Sequence, residues 1–230
     1  MGGLVLLAGN WRAIYVLQAL LGLCLLLYAL TAFRESLLIS ARRSLRPSVL
    51  IESYSIVLKN ADLRRNVLIY GLSFACMFTY IAGAANAYVG QFGFSETNFS
   101  IVFALSSMGI ILGAMVNTRL VKMNLTAPRI IYVGLGMMLA SVALINAFAA
   151  LQCLQAYILA ILAGMVIFSF GLIAPSLNHE ALRHLGHVAG VASAVMRCVQ
   201  MLLGAAVSAA GIVIPKTYPA TSNMGILMLA

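Results

Sequence analysis

An all-α protein that crosses a membrane several times is the fold class this sequence predicts, and three observations predict it. Of the 230 residues, 63% are hydrophobic and only 8% are charged, well outside the range of soluble globular domains. Six windows reach the roughly 20 apolar residues that a spanning helix needs, at about Trp11 to Thr31, Asn66 to Val89, Asn98 to Val121, Arg129 to Ala150, Cys153 to Leu177 and Val188 to Ile214. Finally, small and polar residues fall on single helical faces. Gly186, Gly190, Ser193, Arg197, Gln200, Gly204, Ser208 and Gly211 recur three or four apart in an otherwise aliphatic run. Such a seam lets backbones approach closely, and it places an arginine and a glutamine where acyl chains would be a costly neighbour, so the seam is expected to face protein.

The formal net charge of +9 sets topology and does not point to a nucleic-acid partner. Arg34, Arg42, Arg43, Arg46, Lys59, Arg64 and Arg65 lie between the first two windows, Arg119, Lys122 and Arg129 around the third and fourth, and Arg183 between the fifth and sixth. If every window spans, those loops share one side, and only Arg12 and Lys216 stand on the other. This positive-inside asymmetry makes the basic loops cytoplasmic.

Taken in order, the first ten residues are glycine-rich and apolar with no leading cation, and read as the end of an earlier span turning at Gly9-Asn10. Trp11, Arg12 and Tyr15 anchor the first span at the interface. Residues 32–65 carry half of the basic residues and form a linker. Pro47 and Ser48 can start a helix there, with Leu50, Tyr54, Val57 and Leu58 opposite Glu52, Ser53 and Lys59; it reads either as an amphipathic helix on the membrane surface or as a solvated tether. In the second span Tyr80, Gly83 and Asn86 lie near one face, lining a cavity or simply finding local partners. Ser95 can cap the third span, with Glu96 in its first turn.

The third span carries Gly109 and Gly113, a small-xxx-small face, followed by Asn117 and Arg119 where the helix meets the cytoplasm. Tight packing beside a polar rim suits helices that rock against each other, whereas Arg119 with Lys122 serves topology alone on the plainer reading. The fourth span adds Gly134 and Gly136, the fifth Gly164, Gly171 and Pro175, the last one turn from Ser176, Asn178, His179 and Glu180. That proline can end or kink the helix and free a carbonyl. His179 and His184 are five apart, about 140° around an ideal helix, so no HExxH metal site is expected. Cys24, Cys76, Cys153 and Cys198 are isolated and read as small apolar filler. The seam offers no nucleophile and base at usable spacing, so no catalytic residue, metal or cofactor is expected and the chain is not read as an enzyme. A final apolar stretch, Pro219 to Ala230, reaches only ~18 Å of a ~30 Å core, so the chain reads as ending inside a helix.

With these residues assembled, the chain resembles the major facilitator superfamily, and most closely its Bcr/CflA drug-efflux branch. The likeness rests on Trp11-Arg12-Ala-Ile, Phe78-x-Tyr80-Ile-x-Gly83, Phe92-Gly93-x-Ser95 with Phe103-Ala-Leu, and Gly113-x-x-x-Asn117-x-Arg119-Leu-Val. It continues through Pro175-x-x-Asn178-x-x-Ala181-Leu and Gly186-His187-Val-Ala-Gly190-x-Ala-Ser193-Ala to Gln200-Met-Leu-Leu-Gly204. The resemblance implies the last helix of a first bundle at 1–31, a cytoplasmic linker at 32–65 and a carboxy-terminal six-helix bundle of a major facilitator fold at 66–230, its last helix incomplete. It also implies proton-coupled efflux of small drug-like molecules across the bacterial inner membrane, with a small-molecule substrate, protons, the lipid bilayer and a missing amino-terminal bundle as partners. Within that frame Tyr80, Asn86, Arg197 and Gln200 are expected to contribute to substrate binding, and Gly113, Asn117 and Arg119 to the inner gate. The proton-linked acids are expected in the missing bundle, since no acidic residue lies deep in a span. Three positions depart from the family pattern: Ala-Ala-Asn86 follows Gly83, Ser106 stands where asparagine is common, and Arg197 replaces a small or apolar residue. The alternative to a transporter is an inactive remnant or half-size membrane protein that needs a partner.

Overall fold

The computed structural model describes residues 11–32, 47–183, 185–213 and 228, and among them all regular structure is helical. The helices are α1 (Trp11–Ala32), α2 (Pro47–Lys59), α3 (Ala61–Ala85), α4 (Glu96–Lys122), α5 (Ala127–Ala150), α6 (Ala156–Leu182) and α7 (Ala189–Val213). A π-helical turn, Asn86–Gln91, extends α3, and a 3-10 turn, Gly186–Val188, precedes α7. Six of these segments are long and apolar enough to cross a membrane, matching the six expected windows. The stretch from Pro219 to Ala230 lies outside the described residues except for Met228.

The chain divides into two compact units, Met1–Leu50 and Ile51–Ala230, with the division inside the basic 32–65 segment. In the first unit α1 is exposed from Tyr15 onward, as an aliphatic helix with lipid for solvent can be. In the second, α6 is central and packs against α3, α4 and α5, while α7 lies along α3. Short turns join α3 to α4, α4 to α5, α5 to α6 and α6 to α7, so these neighbours alternate in direction.

Local chemistry explains the ends. Asn60 caps α3, its side chain accepting from the Leu63 N–H at 2.8 Å, and Asp62 follows in the first turn. Helix therefore begins at Ala61, five residues before the expected span, because a good cap and a first-turn acid precede the apolar run. Ser95 caps α4 as expected, accepting from the Asn98 N–H at 3.2 Å. Asn124 and Gln152 take positive φ just beyond α4 and α5. There the Leu125 and Cys153 N–H groups return to Leu120 and Phe148 oxygens, closing both helix ends.

Two expectations need correction, and one that was open is decided. Helix α2 forms, but Ser53 and Val57 are buried while Tyr54 and Leu58 are exposed beside Ile51, and the Leu50 side chain lies outside the described residues. Both flanks of α2 are apolar, and the bundle takes the one bearing Val57, leaving Ile51, Tyr54 and Leu58 as an outward stripe. Of the two outcomes open at Pro175, an end or a kink, the helix does not end: α6 continues to Leu182, and Ser176, Asn178, His179 and Glu180 are helical. The seam of α7 also divides. Its buried stripe runs through Val188, Ala192, Met196, Gln200 and Gly204, whereas Gly186, Gly190 and Arg197 are exposed. Contact with a single principal neighbour, α3, covers only part of the face.

Candidate functional site

The tightest crossing is α4 on α6. A Cβ at Gly113 would overlap the Phe168 carbonyl oxygen and come 2.7 Å from the Leu172 nitrogen; one at Gly109 would lie 2.9 Å from the Gly164 oxygen. Gly171 presses on the Ile110 backbone from the other side. Backbones this close bring a short polar side chain within reach of the opposite main chain. One turn beyond Gly113, buried Asn117 donates from Nδ2 to the Leu172 oxygen at 2.7 Å and to the Ser176 hydroxyl at 2.6 Å. Pro175 has no N–H for the Gly171 carbonyl, and the adjacent Leu172 carbonyl is the one Asn117 takes. Asn117, Pro175 and Ser176 form one wall of a cavity of about 910 Å3, with Thr118, Lys122, His179, Glu180 and Arg183 around it. Glu180 lies 4.0 Å from Arg183 and 3.9 Å from His179. Gly113 and Asn117 thus act together on α6, whereas Arg119 is exposed and outside the cavity lining.

A second polar cluster joins α7 to α3. The Arg197 Nη1 donates to the Tyr70 hydroxyl at 2.8 Å and to Gln200 Oε1 at 2.9 Å. Its guanidinium carbon stands 5.7 Å from the centre of the Tyr70 ring, a favourable place for a cation. Tyr70 is 3% exposed and packs on Phe170 of α6 at 5.7 Å. Below it Gly204 approaches Phe74, where a Cβ would meet Cε1 at 3.0 Å. Arg197 sits eight residues into α7, roughly 12 Å along its axis.

Tyr80 and Asn86 do not join that cluster. Tyr80 is fully buried between α3 and α4, donating to Ser106 Oγ at a long 3.4 Å and stacking on Phe103 at 6.2 Å. Asn86 is exposed at the start of the π-helical turn, its Oδ1 over the space that a Cβ on Gly90 would fill. The same turn sets Tyr88 among Phe92, Phe94 and Phe99. Of the four expected binding residues the fold gathers Arg197 and Gln200, and supplies Tyr70, which sequence reasoning missed. The only available signal was a tyrosine among the apolar residues of α3, and α3 carries Tyr80 as well, with Tyr88 in the π-helical turn that extends it.

A bundle of apolar helices closed by glycine crossings, with a charged cavity at one end and a braced arginine within a span, defines a polytopic membrane protein. The sequence profile of the Major Facilitator Superfamily matches residues 1–209, and the chain belongs to that family. The chain is also similar to a protein of Bacillus subtilis (strain 168) described as the uncharacterized MFS-type transporter YdgK, at 24% identity over 209 residues. That match covers 90% of this chain and 52% of the relative, so the chain spans about half the length of the curated protein it matches.

Proposed function

We propose that this chain forms the carboxy-terminal part of a transporter that exports small drug-like molecules across a bacterial inner membrane in exchange for protons. The observation that carries the reading is the family match along residues 1–209. Two features support it. The α4–α6 crossing is held by backbone contact and by Asn117, an arrangement able to pivot without losing an apolar core. The cavity beside it opens among Lys122, His179, Glu180 and Arg183, at the end of the bundle that carries the basic turns and that we assign to the cytoplasm. In this reading Gly113 and Asn117 belong to the inner gate, with Arg119 holding orientation beside them. Arg197 and Gln200 contribute to substrate binding, Tyr80 fixes the α3–α4 contact behind them, and Asn86 lies at the outer mouth. The missing amino-terminal bundle supplies the opposite wall and the proton-linked acids.

The test is efflux from cells expressing the complete reading frame in a strain stripped of its own drug pumps. Cells loaded with cationic, neutral and anionic fluorescent dyes should lose at least one faster than vector controls, and a protonophore should abolish the difference. Rates equal to the controls for the whole panel would overturn the proposal, and efflux that survives the protonophore would remove proton coupling from it.

A further inference from the structure

The guanidinium of Arg197 is half used. Its Nη1 donates both protons, to Tyr70 and to Gln200. Both acceptors are neutral and almost wholly buried, at 3% and 4% exposure, so they hold the group in place without cancelling its charge. The other edge, Nε and Nη2, has three N–H donors and no acceptor among the described residues, and Arg197 itself is exposed. Nor does a described carboxylate balance it. Asp62 faces Arg65, Glu180 faces His179 and Arg183, Glu96 lies in the first turn of α4 and Glu52 is exposed on α2.

A cation roughly a third of the way along a spanning helix is unfavourable against lipid, so this edge meets water, protein or a ligand. An Nε–Nη2 edge matches the two oxygens of a carboxylate, and bidentate pairing of this kind is where arginine surpasses lysine. The brace also removes, in advance, much of the ordering that such a contact demands.

We propose that the Nε–Nη2 edge of Arg197 is the anchor for the carboxylate of a small organic anion carried by the transporter. Tyr70 and Gln200 are positioning residues that fix the plane of the guanidinium. This rests on the transport reading above and narrows its substrate class, from small drug-like molecules in general to those that carry a carboxylate.

The test uses the complete protein in detergent micelles and two matched probes, 1-naphthoate and 1-naphthamide, titrated by calorimetry. Wild type should bind the naphthoate about tenfold or more tightly than the amide. Arg197→Gln should bring that ratio to about one while leaving the amide unchanged. Arg197→Lys should retain attraction but lose much of the ratio, and Tyr70→Phe should lower it several-fold; these two carry the test should Arg197→Gln fail to fold. A wild-type ratio near one, or no naphthoate binding, overturns the proposal. So does an Arg197→Gln protein that melts earlier yet keeps the ratio, the signature of an ion pair within the protein. Energised dye efflux with an unchanged ratio sinks the anion site alone, whereas Arg197-dependent naphthoate binding without efflux of any dye sinks the transport reading alone.

Discussion

Single side chains divide here by whether a buried partner depends on them. Asn117 donates to the Leu172 carbonyl and the Ser176 hydroxyl at once, and both partners are buried. Asn117→Leu keeps the branched outline and removes the donor, and should cost about 0.6–1.7 kcal/mol for the lost interhelical hydrogen bonds, read as a lower unfolding midpoint in a detergent-denaturation series. Tyr80→Phe loses only a 3.4 Å contact and keeps the stack on Phe103, so it should shift that midpoint by about 0.5 kcal/mol or less. Sequence reasoning left Tyr80 open between a cavity face and a local partner, of which Ser106 is now one, and set Asn117 at a gate rim. Its reach at this scale is limited by the helices themselves. A span that is apolar all round does not say which tyrosine faces a neighbour, and the Arg197–Tyr70 bond joins residues 127 apart in sequence. Gln200 was legible because it lies three residues from Arg197 on the same helix face.

At the level of elements, the glycines divide into those that set a crossing and those that set nothing. Gly113→Ala drives a methyl into the α6 backbone, and α4 cannot yield without opening the Asn117 bonds one turn away. A cost of about 1–3 kcal/mol, typical of overpacking, should appear as a lower melting temperature together with slowed transport. Gly136→Ala is the control: nothing lies within 4 Å of the added carbon, and the better helix former should leave stability unchanged or raised by up to about 1 kcal/mol. Equal effects of the two substitutions would refute the close crossing. The small-xxx-small face of Gly109 and Gly113 was legible because the spacing alone places both on one side of a helix. Whether α6 ends or passes at Pro175 stayed open in the sequence. A proline removes one main-chain bond, and whether the helix survives depends on what covers the freed region, here side chains from α4. The buried face of α2 was equally hidden, since Val57 and Tyr54 are comparably apolar and only the bundle chooses between them.

For the molecule as a whole, the count and placement of spans were the most legible features, because membrane thickness and backbone hydrogen bonding leave few alternatives to long apolar helices. The orientation proposed from charge can be tested with a cysteine the chain already has. Cys153 is exposed at the turn between α5 and α6, opposite in direction to the basic turn at Lys122 to Arg129. Cys24 and Cys198 are exposed too, but within apolar spans, and Cys76 is half-buried in α3. A membrane-impermeant maleimide added to intact cells should therefore label the protein through Cys153, and Cys153→Ala should abolish that signal. In the Cys153→Ala background a thiol placed by Asn124→Cys, in the turn after α4, should react only once the membrane is permeabilised. The reverse pattern would put eleven of the fourteen basic residues outside, against the bias that orients short loops. It would also overturn the proposed cytoplasmic side of the cavity lined by Asn117 and Ser176, and with it the proposal that Gly113 and Asn117 belong to an inner gate.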